Sequence, residues 1–353
     1  MSEKVLMKGN EAIAEAAIRA GCRHYFGYPI TPQTEVAAYM AKRMPKIGGT
    51  FLQAESEIAA INMVYGVSAA GLRVMTSSSS PGISLKQEGI SYLAGSDLPA
   101  LIVNVQRGGP GLGGIQPSQS DYFQATKGGG HGDYHLIVLA PASVQEMADL
   151  TVKAFELADR YRMPAMILAD GTMGQMMEPV VLPEESGVTV EKPWALTGTK
   201  NQRSHNIVNS LYLVPEKLES INLERYKRYE AIMKNEPSCE SYLMEDAEIC
   251  IVAFGIAARV AKNAITAARA KGIRVGLIRP ITLWPFPSEA VAEAAKRVKA
   301  FISVELSMGQ MIEDVRLAQS CQRPVYLCSR TGGMIPSPED VMESIEKLTG
   351  GEL

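Results

Sequence analysis

Short apolar runs rich in β-branched residues alternate with amphipathic helical stretches from residue 8 to about residue 185. This alternation is typical of a parallel α/β sheet, in which each strand returns through a helix. A first helix is predicted from Asn10 to Ala20, because Asn10 can cap it and Gly21 lies just past its end. Strands are predicted at apolar runs bounded by Gly, Pro or polar residues, namely His24 to Tyr28, Thr50 to Gln53, Arg73 to Ser77, Ala100 to Gln106, Leu136 to Leu139 and Ala165 to Ala169.

The periodicity weakens from about 186 to 245, where a charged stretch predicts a connector that carries one exposed helix. Strand and helix patterns then resume with EICIVAFG and continue to a last helix from about residue 338. The sequence therefore predicts an α/β protein with two doubly wound parallel-sheet domains, over residues 1–185 and 246–353, joined by the connector 186–245.

Charge and composition exclude several classes of protein. With 35 Lys and Arg against 38 Asp and Glu, the net charge of -3 favours neither nucleic acid nor an anionic membrane as a partner. No apolar stretch approaches the roughly 18 residues of a membrane span, and no signal peptide is evident, so we expect a cytoplasmic protein. The five cysteines form no CxxC pair, which argues against a zinc knuckle or an iron–sulfur site in this chain.

Glycine is concentrated in one segment, from Gly108 to Gly132, directly after the predicted strand Ala100 to Gln106. Open α/β sheets bind ligands at such carboxyl ends of their strands. A dinucleotide-binding fingerprint is disfavoured, because Pro110 interrupts the glycines and no helix pattern begins there. A mobile loop without a ligand remains the plain alternative.

Two other patterns suggest chemistry without specifying it. His131, Asp133 and His135 form HxDxH, which would place three ligands on one face of an extended segment. No fourth ligand is suggested nearby, so a hydrogen-bonded loop histidine is favoured over a metal site, and we expect no metal ligand in this chain. The run Ser77 to Ser80 before Pro81 lacks the GxSxG pattern, and it predicts a strand-to-helix turn whose hydroxyls face a ligand.

The segment QAESEIAAINMVYGVSAAG, residues 53–71, predicts a helix that is almost free of charge after Glu57. A helix that is apolar all round must be covered on all sides, by the fold or by another subunit. Glu55 and Glu57 stand at its beginning. Either they complement the helix dipole, or one is a partly desolvated carboxylate that shares a proton with a heterocycle.

Four segments together resemble the α subunit of the 2-oxoacid:ferredoxin oxidoreductases. They are GYPITPQTE at 27–35, the 53–71 helix, the segment that runs from TSSSSPG at 76 to 111, and the segment at 139–170. The resemblance extends along nearly the whole chain, including a C-terminal domain similar to that of transketolase. Within the family it favours the branched-chain type, which acts on 3-methyl-2-oxobutanoate (2-oxoisovalerate), with the 2-oxoglutarate type as a near neighbour.

The resemblance implies that thiamine diphosphate binds between a pyrimidine domain, here residues 1–185, and a diphosphate domain. Glu57 matches the family glutamate that hydrogen-bonds the aminopyrimidine ring, and Thr31 and Arg107 match positions that bind the carboxylate and oxo group of the substrate. An arginine fork suits a planar carboxylate. The other cofactor-binding residues expected from the resemblance are Tyr28, Pro29, Ile30, Ser79 and Pro81.

The implied reaction is the oxidative decarboxylation of a 2-oxoacid to acyl-CoA and CO2, with electrons passing through iron–sulfur clusters to ferredoxin. This chain has no GDG followed by Asn and no cysteine cluster. The diphosphate, its Mg2+ and the clusters are therefore expected on partner subunits, the diphosphate-binding β, γ and ferredoxin-like δ chains, and self-association is also expected. The alternatives are the same chemistry on 2-oxoglutarate or pyruvate, and a non-catalytic α/β module that binds a nucleotide or coenzyme A.

Overall fold

The computed structural model describes residues 4–185 and 190–351, so the start of the predicted connector, 186–189, lies outside the described residues. The strands of the N-terminal half are β1 Lys4–Lys8, β2 His24–Gly27, β3 Thr50–Gln53, β4 Val74–Ser78, β5 Leu101–Gln106, β6 Ile137–Leu139, β7 Ala165–Asp170 and β8 Met177–Val181. Its helices are α1 Gly9–Arg19, α2 Thr34–Arg43, α3 Glu57–Ala69, α4 Pro81–Gly95, α5 Tyr122–Thr126, α6 Val144–Tyr161 and α7 Gly171–Gln175, with a 3-10 helix at Met44–Ile47.

The second half begins with the connector helix α8 Pro215–Asn235. Its strands are β9 Cys239–Tyr242, β10 Ile249–Val252, β11 Val275–Pro280, β12 Thr282–Trp284, β13 Ala300–Glu305 and β14 Val325–Ser329. Its helices are α9 Gly255–Ala270, α10 Ser288–Ala295, α11 Met311–Ala318 and α12 Pro338–Gly350. None of the helices in the described ranges is both long and apolar enough to cross a membrane.

The larger sheet has seven strands in the order β12-β6-β7-β5-β4-β2-β3 and is parallel except at β12. Its central strands β4, β5 and β7 are buried along their whole length, as expected where helices cover both faces of a sheet. A β-strand outside this sheet, β1, pairs antiparallel with β8. The parallel, doubly wound α/β architecture predicted for the N-terminal half is confirmed.

The smaller sheet has five strands in the order β14-β13-β10-β11-β9, with β9 antiparallel at one edge. This confirms an α/β sheet in the C-terminal half as well. Strand β9 lies within the predicted connector by sequence but pairs with β11 of this sheet. The connector helix α8 is largely exposed, yet it buries Arg225, Tyr229 and Ile232.

The two halves are joined through β12, which leaves the second half and pairs antiparallel with β6 of the larger sheet. Buried Arg279, at the end of β11, extends this junction, because its guanidinium donates to both carboxylate oxygens of Glu146 at 2.7 and 2.9 Å. One hydrophobic cluster runs through both halves, from Ile13 to Ile345. The loop after β5 reaches this junction at Gln119, whose amide donates to the carbonyl of Phe254 at 2.9 Å, whereas residues 109–116 of the loop are exposed.

Helices α3 and α4 pack side by side beyond β4, and their contact is made close by glycine. A Cβ atom at Gly89 of α4 would lie 2.4 Å from Cγ2 of Ile61 on α3. Such a distance is excluded for real atoms, so Gly89 is required by the approach of the two helices. This packing covers one side of α3, while Ile58, Asn62 and Gly66 on another side are exposed in the single chain.

Candidate active site

The predicted site residues all follow the carboxyl ends of four neighbouring strands, which lie in the order β5-β4-β2-β3. The segment from Tyr28 to Thr31 follows β2, Glu57 follows β3, Ser79 to Pro81 follow β4, and Arg107 follows β5. Parallel strands bring their carboxyl ends to one edge of the sheet, and α/β proteins bind ligands there. The fold thus brings every predicted site residue to one edge.

The two acids at the beginning of α3 have different environments. Ser56 caps the helix, since its hydroxyl accepts a hydrogen bond from the backbone N–H of Ala59 at 3.2 Å. Glu57 is consequently the first helical residue and is only 5% exposed, whereas Glu55 is exposed. Among the described residues, the Glu57 carboxylate accepts no hydrogen bond. A buried carboxylate with its acceptor capacity unused is ready to bind a ligand that donates.

The first turn of α4 faces this carboxylate. A Cβ atom at Gly82 would lie 2.6 Å from Oε1 of Glu57 and 2.1 Å from Oγ of Ser78. Glycine therefore allows the carboxylate to lie against the helix backbone. The amino-terminal ends of both α3 and α4 are directed at Glu57, and their dipoles favour negative charge there. The hydroxyls of Ser78 and Ser79 close by are buried and have no hydrogen-bond partner among the described residues.

The turn between β4 and α4 is held in a strained conformation by Ser80, whose φ of 25° lies in the left-handed region. Its backbone N–H donates to Oδ1 of Asn104 at 3.1 Å, and its hydroxyl donates to Oδ2 of Asp121 at 2.6 Å. The same hydroxyl accepts from the backbone N–H of Arg107 at 3.0 Å. Burial raises the pKa of the Asp121 carboxyl, which Ser80 and Asn104 counteract by donating to it. Sequence reasoning did not identify Asn104 or Asp121.

Arg107 and Thr31 are in direct contact. The buried Arg107 guanidinium donates through Nη1 to the carbonyl of Thr31 and through Nη2 to that of Leu112, both at 3.0 Å. Its Nε is buried and has no hydrogen-bond partner in the part of the chain that the structure describes. The fork therefore fastens two loops to each other, and it keeps N–H groups for another acceptor.

The loop after β2 presents the remaining predicted residues. Tyr28, Pro29 and Thr31 are exposed, and Ile30 is half-buried. A chain of hydrogen bonds below them fixes the loop: the amide of Gln33 donates to the carbonyl of Tyr28 at 3.4 Å, and its oxygen accepts from Ser77 at 2.5 Å. After β4, Ser79 is fully buried and Pro81 is half-buried.

The HxDxH pattern does not converge on one point. His131 and Asp133 are exposed, whereas the imidazole of His135 stacks on Trp284 with 4.5 Å between the ring centroids. His135 also meets Tyr229 of α8 at 5.3 Å, so its ring belongs to an aromatic junction between three segments of the chain. In residues 4–185 and 190–351, no group of three or more His, Cys, Asp or Glu side chains has the arrangement of a metal site.

Sequence reasoning also missed Lys86, which is fully buried beneath the site. Its ammonium donates to Oγ1 of Thr76 at 2.6 Å and to the carbonyl of Ser77 at 3.1 Å, both on β4. Burial lowers the pKa of the Lys86 ammonium to about 7, and the negative charge of Glu57 acts in the opposite direction. The available signal was the spacing of Lys86 between Gly82 and Gly89, which places all three on one face of α4.

Two family descriptions cover most of the chain. Residues 15–238 match the family described as pyruvate flavodoxin/ferredoxin oxidoreductase, thiamine diP-bdg, and residues 247–341 match pyruvate:ferredoxin oxidoreductase core domain II. A solved structure titled as a split gene transketolase superposes with a TM-score of 0.61 over 97% of both chains, and its 16% identity shows the fold alone. Fold and site thus define an oxidoreductase subunit whose N-terminal domain is of the thiamine-diphosphate-binding type.

Curated relatives refine this class. The ketoisovalerate oxidoreductase subunit VorB of Methanothermobacter marburgensis is 53% identical over 98% of both chains, and the 2-oxoglutarate synthase subunit KorA of Archaeoglobus fulgidus is 38% identical over 98% of this chain and 99% of that one. The solved 2-oxoglutarate:ferredoxin oxidoreductase from Magnetococcus marinus is 30% identical, with a TM-score of 0.87. The superposition covers 98% of this chain and 65% of the chain in that structure. The chain belongs to the 2-oxoacid:ferredoxin oxidoreductases, as the α subunit of a multi-subunit enzyme.

Proposed function

We propose that this chain is the α subunit of an enzyme that oxidatively decarboxylates the branched 2-oxoacid 3-methyl-2-oxobutanoate to acyl-CoA and CO2 while reducing ferredoxin. In this proposal the chain binds the pyrimidine end of thiamine diphosphate through Glu57. One observation carries the assignment: Glu57 is a buried carboxylate at the ligand-binding edge of a parallel sheet, and no side chain or backbone group among the described residues fills its acceptor capacity.

The residues present fit the pyrimidine ring of the cofactor. A ring nitrogen that carries a proton needs an acceptor, which Glu57 supplies, and the space left by Gly82 keeps this acceptor free of side-chain cover. The buried hydroxyls of Ser78 and Ser79 are without partners and add hydrogen-bonding capacity beside it. Tyr28, Pro29, Ile30 and Pro81 are proposed to line the same space from the adjacent loops.

When bound, thiamine diphosphate supplies the carbon nucleophile and the electron sink of the reaction. The part of this chain is to hold a proton between Glu57 and the pyrimidine ring. Arg107 and Thr31 are proposed to orient the carboxylate and oxo group of the substrate. The spare N–H groups of Arg107 suit this role, because the other two already fix the guanidinium in place.

The preference for a branched alkyl chain is supported by the loop that Arg107 fastens. Leu112, whose carbonyl accepts from Arg107, has a side chain that is 82% exposed in the single chain, and Ile115 is 58% exposed. Apolar side chains next to a carboxylate-binding arginine favour a substrate with an apolar tail over one with a second carboxylate. The relatives named for ketoisovalerate support the same choice.

Partner subunits are proposed to complete the enzyme. The described residues offer the pyrimidine side of the cofactor site, and they contain no cluster of metal-ligating side chains for Mg2+. The diphosphate, its Mg2+ and the iron–sulfur clusters are therefore assigned to diphosphate-binding β, γ and ferredoxin-like δ chains. Coenzyme A and ferredoxin would bind to the assembled complex.

The test replaces Glu57 in the reconstituted complex. Glu57→Gln keeps the shape of the side chain but cannot hold the shared proton, so ferredoxin reduction with 2-oxoisovalerate should fall by about 100-fold or more. Glu55→Gln is the matched control, since Glu55 is an exposed acid two residues away, and it should retain the wild-type rate. Undiminished turnover of Glu57→Gln would contradict the catalytic assignment.

The substrate is tested separately, by the initial rates of the intact complex on 2-oxoisovalerate, 2-oxoglutarate and pyruvate. We expect the highest kcat/KM with 2-oxoisovalerate. A higher kcat/KM with 2-oxoglutarate would overturn the substrate while leaving the role of Glu57 intact.

A further inference from the structure

A lysine side chain is fully buried between α4 and β4, directly below the proposed cofactor site. Lys86 is 0% exposed, and its ammonium contacts a hydroxyl and a carbonyl instead of a carboxylate. Buried lysines are rare, because removing an ammonium from water is unfavourable unless another group compensates for its charge. Two neutral acceptors compensate only in part, so the position of Lys86 calls for a further charge nearby.

The packing of α3 against α4 shows where that charge is. Gly82, Lys86 and Gly89 are spaced four and three residues apart and lie on one face of α4. A Cβ atom at Gly82 would lie 2.6 Å from Oε1 of Glu57, and one at Gly89 would lie 2.4 Å from Cγ2 of Ile61. Lys86 lies between these two glycines, one helical turn from Gly82 and on the order of 6 Å along the axis. Its ammonium reaches β4, and the Glu57 carboxylate borders the same face of α4 at Gly82.

Among the described residues, the elements that enclose this pair supply no other charge that acts on the lysine. Strand β4 presents the hydroxyl of Thr76 and the carbonyl of Ser77. Helix α3 presents Glu57, while Glu55 before it is exposed. Within the described part of the chain, the effects on the Lys86 ammonium are burial, which lowers its pKa, and Glu57, which raises it. The opposite charges of Glu57 and Lys86 attract each other.

We propose that Lys86 is a positioning residue for the reaction, a buried counter-charge that keeps Glu57 ionised until the pyrimidine ring of thiamine diphosphate binds next to it. This inference rests on the proposed function of Glu57. With Lys86 charged, the proton that Glu57 and the ring nitrogen share lies towards the ring nitrogen. Without that charge, the proton lies towards the carboxyl oxygen. Lys86 acts through Glu57 and does not touch the cofactor or the substrate.

The proposal predicts how many protons the enzyme takes up when the cofactor binds. A cofactor-free site with an ionised Glu57 takes up a proton on binding, whereas a site in which Glu57 is already protonated does not. Calorimetric titration of the cofactor-depleted complex with thiamine diphosphate and Mg2+, in buffers of different ionisation enthalpy, measures this uptake without any turnover. Titration at about pH 6.5 keeps most of the Lys86 ammonium charged, given its pKa of about 7.

The variants are Lys86→Met and Lys86→Gln, which remove the charge, with Lys42→Met as a control because Lys42 is exposed on α2. Lys86→Gln keeps a donor for Thr76 and Ser77 and serves if Lys86→Met fails to assemble. Both neutral variants should take up fewer protons than wild type and approach the value of Glu57→Gln, while the control equals wild type. Contributions from the diphosphate cancel in this comparison. In turnover, kcat should fall about tenfold or more with little change in KM for the 2-oxoacid.

The outcomes separate the two hypotheses. Wild-type proton uptake in both neutral Lys86 variants, together with reduced uptake in Glu57→Gln, would overturn the role of Lys86 and leave that of Glu57 standing. Unchanged uptake and turnover in Glu57→Gln would overturn the proposed function and this inference with it. A loss of cofactor affinity in the Lys86 variants without a change in uptake would point to a purely structural lysine and also overturn the proposal.

Discussion

At the scale of single residues, burial divides side chains that look equivalent in the sequence. Glu55 and Glu57 are both acids at a helix start, and each suits the helix dipole. Only the cap formed by Ser56 and the packing of α4 decide that Glu57 is enclosed and Glu55 is exposed. The chemical proposal for Glu57 depends on this difference, because water already fills the hydrogen-bonding capacity of a solvated carboxylate.

Lys86 gives a prediction for stability as well as for catalysis. In the unfolded chain a lysine has its ordinary pKa of about 10.5, whereas burial lowers the pKa of Lys86 in the folded chain to about 7. Between these values the unfolded state binds more protons, so this lysine makes the free energy of unfolding rise with pH from about 7 to 10.5, and its unfavourable contribution is complete below 7. Removal of the charge should remove that slope.

We therefore expect Lys86→Met to gain stability relative to wild type at about pH 6, and to lose most of this advantage by about pH 10. Urea unfolding of both proteins at several pH values measures the difference in their free energy of unfolding. The contributions of the other titrating groups are the same in both proteins and cancel. Lys42→Met should show no such pH-dependent difference. A difference between Lys86→Met and wild type that stays constant with pH would contradict a depressed pKa for Lys86.

At the scale of helices and strands, local pattern predicted the parallel strands of the larger sheet closely and missed the separate two-stranded sheet. Strand β3 has the predicted bounds, and β5 and β7 differ from them by one residue. Strands β1 and β8 were missed, because they pair with each other across more than 160 residues and carry no strong apolar run. The burial of Lys86 was not predicted either, since a lysine on a helix usually lies on its solvated face.

An alanine at a glycine of α3 or α4 should have a different effect at each position. Gly82→Ala places a methyl group 2.6 Å from Oε1 of Glu57, so it should displace the carboxylate and reduce turnover of the complex. Gly89→Ala meets Ile61 instead and should lower the free energy of unfolding by about 1–3 kcal/mol, while turnover per assembled enzyme is kept. Urea unfolding and ferredoxin reduction measure the two effects.

Gly66→Ala is the control for the unfolding measurement on the isolated subunit. Among the described residues no other atom lies within 4 Å of its Cβ position, so the alanine should stabilise α3 in the isolated subunit by about 0.5–1 kcal/mol. Wild-type turnover in Gly82→Ala would show that the carboxylate does not depend on the space that this glycine leaves.

At the scale of the whole molecule, the site is assembled from contacts that no local pattern predicts. The loop after β5 contacts the second half of the chain. The amide of Gln119 in the loop donates to the carbonyl of Phe254 at 2.9 Å, and Gly333 approaches Gln116. Strand β12 joins the larger sheet although it follows β11 of the smaller one. The sequence predicted two sheets and the candidate site, whereas their junction depends on pairings between residues more than 130 positions apart.

Contact with another subunit would explain why α3 is apolar on faces that this chain leaves exposed. The sequence predicts complete cover for the helix, yet Ile58 is 50% exposed. On α4, which packs against α3, Leu85 is 50% and Tyr92 39% exposed. An apolar surface of this kind beside the proposed cofactor site is typical of a subunit interface. We expect another subunit of the complex, either a partner chain or a second copy of this one, to cover it.

Ile58→Glu tests that expectation. The substitution faces solvent in the single chain, so the free energy of unfolding of the isolated subunit should change by no more than about 0.5 kcal/mol. In the assembled enzyme the new carboxylate would be buried without a partner, and the fraction of chain recovered in the complex by size-exclusion chromatography should fall severalfold. Leu317→Glu on α11, where the leucine is 71% exposed, is the control and should assemble normally. If Ile58→Glu assembles as wild type does, this surface stays in water, and the apolar character of α3 has a cause other than contact with another subunit.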